Sequence, residues 1–382
     1  MSRTRHHTAT VGFPAKIRFP AKMNARESGI LRLVVQSFIE TAGPIASRFL
    51  ALRYNLGLSS ASIRNTLNAL ENKGYLKHPH TSSGRVPTDQ GYRAYVDSLM
   101  EKATLQPDER RLMREHLVAV QEDTDALVEE SSRVLARLAG LLGVALGPQL
   151  RSGILERLEI VPVSSDRVMF VISVQGGVIR TIVLNIVVEL KRHHLDRLIE
   201  LLNERLSGLS LEEIRRTCCD RVMDLKDERT GLVQLILNDA DTLFSDDADR
   251  HKIRVEGTAN MLAQPEFNHA DEMRSIVSLI DDSSGIVELF RGRNPEITHA
   301  PATARVLIGR EMDPDGSISG NIRNLSIVTS QYQRSNMQGT IGVIGPTRMD
   351  YARVIALVEG MALLMSWPGE KNRPGIGTSV RA

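Results

Sequence analysis

Ile63, Leu67 and Leu70 recur at i, i+4 and i+7, the spacing that places apolar side chains on one face of an α-helix. The other face of this segment carries Ser60, Ser62, Arg64, Asn65 and Asn68, with no carboxylate before Glu71. Gly74 follows where a C′ glycine would stop the helix. A short run from Tyr75 to His78 then leads into a polar turn centred on Ser82-Ser83-Gly84. An acid-free polar face followed by a basic hairpin suits the major groove of DNA. Arg can bond bidentately to guanine O6 and N7, and Asn to adenine N6 and N7. Ser and Thr can serve bases or phosphates. Arg64 and Asn65 are therefore the expected base contacts, with Ser60, Ser62 and Asn68 assisting. Lys73, Lys77, His80, Thr81, Ser82, Ser83 and Arg85 are expected to hold phosphates or reach the adjacent groove. The competing reading is a solvated helix and a polar loop.

The flanking segments favour the first reading. Ile30, Leu31, Val34, Val35, Phe38 and Ile39 form one stripe of a helix over Ala25–Thr41, ended by Gly43-Pro44. Ser47 is a plausible N-cap for a second helix, Arg48–Asn55, with Leu50 and Tyr54 inward. Leu56-Gly57-Leu58 makes a tight turn, and Ser59 or Ser60 caps the third helix. Three helices, a short glycine-containing turn before the third, and a two-stranded wing make a winged helix-turn-helix. Thr88-Asp89 opens a further helix, to about Lys102.

The charge distribution agrees. Residues 1–100 hold 14 Lys and Arg against 5 Asp and Glu, a net of +9, and the remaining chain carries −7. A basic first quarter on an acidic remainder indicates one anion-binding module attached to something else. At 382 residues, two or three domains are expected. Met1–Lys22 has five basic residues, no acid and no apolar core. That composition excludes a secretory signal and leaves a flexible basic extension, or Met23 as an alternative start. Cys218 and Cys219 are adjacent, which fits no zinc or redox spacing; reduced thiols in a cytoplasmic protein are expected. No apolar run reaches the roughly 18 residues of a membrane span.

After Pro107 the positions 113, 117, 120, 124, 127, 131, 134, 138 and 141 are apolar at seven of nine, close to a heptad seam. A single helix over about Asp108–Leu142 is expected. Its seam either pairs two subunits or lies on its own domain. From Gly153 to Leu190 β-branched runs predict strands, with a hairpin turn at Gln175-Gly176-Gly177. Helical patterns fill Lys191 to Leu243 and Ala270 to Ile280. Strands resume at Ala304–Ile308, Ile322–Thr329 and Thr340–Ile344, before a last helix over Met349–Trp367. This order predicts an α+β chain in which a helical subdomain is inserted into a sheet domain. The tail from Pro368 is expected to be disordered.

No catalytic constellation emerges. His193-His194 lacks a third ligand in view. Gly339, Gly342 and Gly345 lack the Lys-Ser/Thr of a P-loop and lie in a strand pattern, which implies close backbone packing. Asp313-Pro314-Asp315-Gly316 lacks the closing Glu of a calcium loop and reads as a hairpin turn. No enzyme activity, cofactor or metal is expected.

With those residues laid out, the chain resembles the heat-inducible transcription repressor family HrcA over about residues 25–366. The most specific stretches are Tyr54-Asn55-Leu56-Gly57-Leu58-Ser59-Ser60-Ala61-Ser62-Ile63-Arg64-Asn65, then Gly74-Tyr75-Leu76, then Pro79 through Arg93. A distant block is Gly339-Thr340-Ile341-Gly342-Val343-Ile344-Gly345-Pro346-Thr347-Arg348-Met349-Asp350-Tyr351, and Gly257-Thr258 with Pro265-Glu266-Phe267 is a weaker match. The resemblance implies an N-terminal winged-helix domain, a GAF-like α/β domain and an inserted dimerising subdomain. On this chain those map to a basic extension (1–24), the winged helix (25–103), the linker helix with the first GAF-like part (104–190), the insertion (191–253), the second GAF-like part (254–367) and the tail (368–382).

The resemblance also implies a cytoplasmic, nucleoid-associated homodimer on double-stranded DNA. Its operator would be the CIRCE inverted repeat of chaperone operons of the groE and dnaK type. Its activity would depend on the GroE chaperonin and be lost on heat shock, with no membrane association. Thr66 departs from the family, which is often acidic after the Arg-Asn pair. The alternative keeps the DNA domain and makes the GAF-like part a sensor of a small-molecule effector.

Overall fold

The computed structural model describes residues 23–79, 84–149, 152–186, 192–225, 232–244, 253–291, 302–312, 322–334 and 337–366. The chain divides into two compact units, residues 1–100 and 101–382. The fold is α+β, mixing helices with antiparallel sheets. Met1–Lys22, the tail from Pro368 and the turn at Asp313–Gly316 lie outside the described residues.

In the first unit, helix α1 (Ala25–Thr41) begins with a reciprocal cap. The Asn24 side chain accepts from Glu27 N, and the Glu27 carboxylate accepts from Asn24 N, both at 2.9 Å. Its buried stripe of Ile30, Leu31, Val34 and Val35 belongs to a core that also holds Leu50, Ile63, Leu67 and Leu70. Helix α2 (Ser47–Arg53) has Ala46 at the cap position. Ser47, expected to cap it, lies inside the helix and meets Ser60 Oγ at 3.1 Å. Helix α3 (Ser60–Asn72) is capped by Ser59, whose hydroxyl accepts from Ser62 N at 3.2 Å, and Gly74 turns the chain away at φ 82°. Strands β1 (Leu76–Lys77) and β2 (Val86–Pro87) pair antiparallel, and Ile45 bridges to Arg85 beside them. That bridge needs Gly84, since a Cβ there would fall 2.4 Å from the Ile45 carbonyl carbon. Helix α4 (Asp89–Ala94), capped by Thr88, runs into a π-helical turn over Tyr95–Leu99.

Glu27 also accepts from Lys73 Nζ, at 2.7 and 2.8 Å, which ties the end of α3 to the start of α1. Lys73, and then the Asn24 amide, hold the Glu27 carboxyl below the usual carboxylate range. Its contribution to stability is complete above that range and disappears as pH falls through the lowered value. The urea midpoint of the first unit should therefore drop on acidification, and Glu27→Gln should flatten the drop. A wild-type profile as flat as the variant's would contradict this linkage.

The second unit departs from the expected single helix over 108–142. It contains α5 (Pro107–Val118) and α6 (Thr124–Ala139). Asp123 Oδ1 accepts from Asp125 N and Ala126 N at 2.9 and 3.1 Å, so it caps a new helix inside the heptad pattern. Gly140, at φ 65°, ends α6, and β3 (Leu142–Leu146) follows at once. The seam residues Met113, Leu117, Leu127, Ser131 and Val134 are buried within this unit, which supports the domain-packing alternative for that stripe.

A second departure concerns the next strands. β4 (Leu155–Ser164), β5 (Arg167–Val174) and β6 (Val178–Asn185) were expected to open the main sheet, but form a separate antiparallel sheet. They share a core with α7 (Arg192–Leu206), α8 (Leu211–Val222), α9 (Leu232–Asn238) and α10 (Ala240–Phe244). Val168, Phe170, Ile172 and Val174 alternate into that core. Alternation identifies a half-buried strand without identifying its partners. The separate body thus starts before residue 191 and includes strands as well as helices. His193-His194 falls at the start of α7. Cys218 lies in this core, where burial pushes its thiol up to about 11, and Cys219 is exposed; both are free.

The remaining chain forms β7 (Ile253–Glu256), α11 (Thr258–Leu262), α12 (Ala270–Asp281), α13 (Ser283–Arg291), β8 (Ala304–Ile308), β9 (Leu325–Arg334), β10 (Met337–Pro346) and α14 (Tyr351–Met365). The main sheet has the order β7-β3-β10-β9-β8. β3 and β7 are antiparallel neighbours, with Leu146 opposite Ile253, so the chain leaves for the separate body and returns at adjacent strand ends. Leu142, Val144 and Leu146 face the core built with α11–α13. Gly143 points oppositely, where a Cβ would fall 2.4 Å from the α6 carbonyl of Ser132.

The glycine run lies in β10, as its strand pattern predicts. A Cβ on Gly339 would fall 2.2 Å from the ring of Tyr332, its cross-strand partner, and one on Gly342 would fall 2.3 Å from Val328 O. Over Gly339 the Tyr332 hydroxyl reaches the Leu146 carbonyl, donating at 2.9 Å in full burial. Tyr332→Phe should cost about 1–2 kcal/mol in urea unfolding of the second unit, the cost of a buried acceptor losing its donor. An unchanged midpoint would remove that bond from the account. Arg348 grips Glu266 through two guanidinium nitrogens, joining two sequence blocks 82 positions apart.

Candidate nucleic-acid interface

Helix α3 buries Ile63, Thr66, Leu67 and Leu70 and exposes Ala61, Arg64, Asn65, Asn68 and Asn72. The exposed set falls at i, i+3, i+4, i+7 and i+11, one continuous face. Arg64 and Asn65 lie in its middle, and their side chains have no hydrogen-bond partner among the described residues. Of the expected base contacts these two are the most available. Ala61 and Asn72 belong to the same face and were missed. The helical spacing that gives the buried stripe also yields them when counted from the polar side. Ala61 has the methyl that suits contact with thymine C5-methyl. Thr66, the departure from the family pattern, is largely buried and donates to Ser62 O at 3.2 Å, so it is turned away from this face.

The assisting serines sit elsewhere. Ser60 faces Ser47. Ser62 is held by Arg26, whose Nη2 donates to Ser62 Oγ at 2.6 Å and to Ser62 O at 2.9 Å. Arg26 is exposed beside the first turn of α3 and had no local signal, since it reaches its partner across 36 positions.

The basic residues divide. Lys77 is exposed on β1 and remains available for a phosphate. Lys73 is engaged with Glu27. Arg85, at 13% side-chain exposure, pairs with Glu71 at 2.8 Å, donates to Asn68 Oδ1 at 2.7 Å and meets His78 Nδ1 at 2.9 Å. Lys73 and Arg85, both expected to hold phosphates, are each engaged in an intramolecular ion pair. Partners on α1 and α3 meet their charge. His80, Thr81, Ser82 and Ser83 lie outside the described residues.

Arg85 has a second consequence for the face. Glu71 is its nearest carboxylate along α3, and the guanidinium neutralises it in place. Only donor and uncharged amide chemistry, plus the Arg64 cation, remain along the exposed stripe. No group of three or more metal-ligating side chains occurs among the described residues. No helix among them is long and apolar enough to cross a membrane.

The family model described as the HrcA protein C terminal domain matches residues 125–355. The heat-inducible transcription repressor HrcA of Chlorobium phaeobacteroides (strain BS1) is 37% identical over 345 residues, 89% of this chain and 96% of that protein. Its counterpart from Chlorobaculum parvum is 38% identical over 357 residues, 90% of this chain and 97% of that protein. Both alignments are longer than the second unit, so they extend into the unit that carries α3. A crystal structure of a hypothetical protein at 2.2 Å resolution shares the fold, with a TM-score of 0.54 at 22% identity over 90% of this chain and 98% of that one. Near-complete alignment through both units, with the family model across the main sheet and the separate body, places the chain in the HrcA family of transcription repressors.

Proposed function

We propose that the protein is a dimeric repressor that binds the CIRCE inverted repeat upstream of chaperone operons and releases it on heat shock. The observation that carries this reading is the exposed, acid-free face of α3, with the Arg64 and Asn65 side chains unpartnered among the described residues at its centre. The first unit then acts as a winged helix, with β1 and β2 as the wing and α3 in the major groove. Arg64 and Asn65 read bases, and Lys77 holds a phosphate. An inverted repeat calls for a two-fold dimer, because protein symmetry mirrors operator symmetry.

The separate α+β body is the dimerising element in this reading. In support, the outer side of its sheet leaves Val161, Val163, Ile179 and Val183 exposed. The main sheet between its helices serves as the GAF-like domain. The protein works in the cytoplasm on the nucleoid and has no enzymatic activity. The GroE chaperonin maintains it in the DNA-binding state until heat diverts the chaperonin to other clients.

The test is CIRCE binding by purified protein before and after a heat pulse, with and without GroE. Binding should fall after heat and recover faster with the chaperonin. If GroE changes neither arm, the chaperonin part of the reading fails. If the protein does not prefer CIRCE to random duplex, the repressor reading fails.

A further inference from the structure

We infer that Arg85 fixes the polarity of Asn68, so that Asn68 offers DNA a hydrogen-bond donor and reads a base acceptor such as guanine O6 or N7 or thymine O4. The inference rests on the DNA-binding reading and adds to it the chemistry of one contact. A guanidinium has only donors. The Asn68 atom 2.7 Å from Arg85 Nη2 must therefore be the amide oxygen, which leaves Nδ2 as the outward end of the amide.

Arg85 cannot easily turn aside. Its main chain is paired with Ile45 in both directions at 2.9 Å, and its other guanidinium contacts are Glu71 and His78. Gly84 presses this segment against Ile45, as its close backbone approach shows. The wing therefore sets the orientation of a side chain on the groove-facing helix. Bidentate adenine recognition needs the amide oxygen for N6 and the amide nitrogen for N7 together. At Asn68 the oxygen already has a partner, whereas Asn65 keeps both ends free among the described residues. The two asparagines, three positions apart on one face, are chemically different readers. Asn65 is equipped for adenine and Asn68 for an acceptor edge. Arg85 acts through Asn68 and is a positioning residue.

The experiment measures full-length protein on CIRCE duplexes carrying every single-base change, for wild type, Asn68→Ala, Arg85→Lys and the double variant. Asn68→Ala should relax the preference at one operator position, with roughly a tenfold loss on the preferred base. Arg85→Lys keeps the charge but loses the planar fork. It should flatten that same position, and the double variant should flatten it no further. A purely structural role for Arg85 would lower affinity at all positions alike.

Base analogues at that position then test polarity with wild-type protein, so this arm stands even if Arg85→Lys fails to fold. Removing an acceptor, as in 7-deazaguanine, should match the loss seen with Asn68→Ala. If instead the position is adenine and removal of its N6 amino group causes the loss, the amide oxygen is reading the base and the inference is overturned. It is also overturned if Asn68→Ala relaxes no position, or if folded Arg85→Lys leaves the profile intact. Wild type that binds CIRCE no better than random duplex would instead remove the underlying DNA-binding reading.

Discussion

Gly91→Ala should destabilise the first unit by about 3 kcal/mol, near the top of the usual range for overpacking. For a domain of this size that lowers the melting temperature by on the order of 15 °C. The added methyl would fall 2.2 Å from the Tyr75 carbonyl oxygen. Neither side can retreat cheaply. Tyr75 O accepts from Thr88 N at 3.1 Å, and Tyr75 N donates to Leu70 O at 3.0 Å, which fixes the residue between α3 and α4. The Thr88 hydroxyl accepts from Gly91 N at 3.1 Å and donates to Gly74 O at 2.6 Å, closing the same junction.

Gly29→Ala is the matched control. It adds the same methyl on the exposed second turn of α1, where no atom outside the helix's own backbone lies within 4 Å, and should stabilise by about 0.5–1 kcal/mol. Thermal melts followed by circular dichroism compare the two. Equal shifts would mean that the backbone contact at Gly91 does not hold the junction.

Arg64→Ala should cost about 1–3 kcal/mol of CIRCE binding and relax base choice at one position, with far less effect on random duplex. Arg64 sits at the centre of the exposed face and its side chain makes no hydrogen bond among the described residues, so its truncation should leave the fold undisturbed and no buried partner orphaned. Lys77→Ala provides the contrast. It should weaken binding about evenly across sequences and reduce the salt slope by about one. Titrations on both duplexes at several salt concentrations separate the two roles. Equal losses on CIRCE and random duplex for Arg64→Ala would contradict base reading.

Legibility of the interface followed distance along the chain. Arg64, Asn65 and Asn68 could be placed on one polar face because helical spacing fixes direction locally. Ser60, Ser62, Lys73 and Arg85 looked equally available in sequence. Their partners are Ser47, Arg26, Glu27 and Asn68, at 13, 36, 46 and 17 positions' remove. A free cation and an ion-paired cation have the same local sequence. The pairing exists only once α1, α3 and the hairpin have docked.

The main sheet and the separate body divided in the same way. The β-branched runs over 155–185 identified strands, and the glycine run identified close packing in β10. The heptad pattern over 113–141 passed through a helix cap at Asp123 because two successive helices can keep one phase of apolar residues. β3 was hidden in the same reading, since a short apolar run does not distinguish a buried strand from a helix end.

Local sequence was enough to place the helix that starts at Ser60, its acid-free face, the glycine stop at 74 and the alternation of the strands. These depend on backbone periodicity and turn chemistry within a few residues. Strand pairing within each sheet, the ion pairing of Lys73 and Arg85, and the orientation of the Asn68 amide emerge only on folding. Those outcomes depend on hydrogen bonds and ion pairs between groups far apart in the chain, which no local pattern encodes.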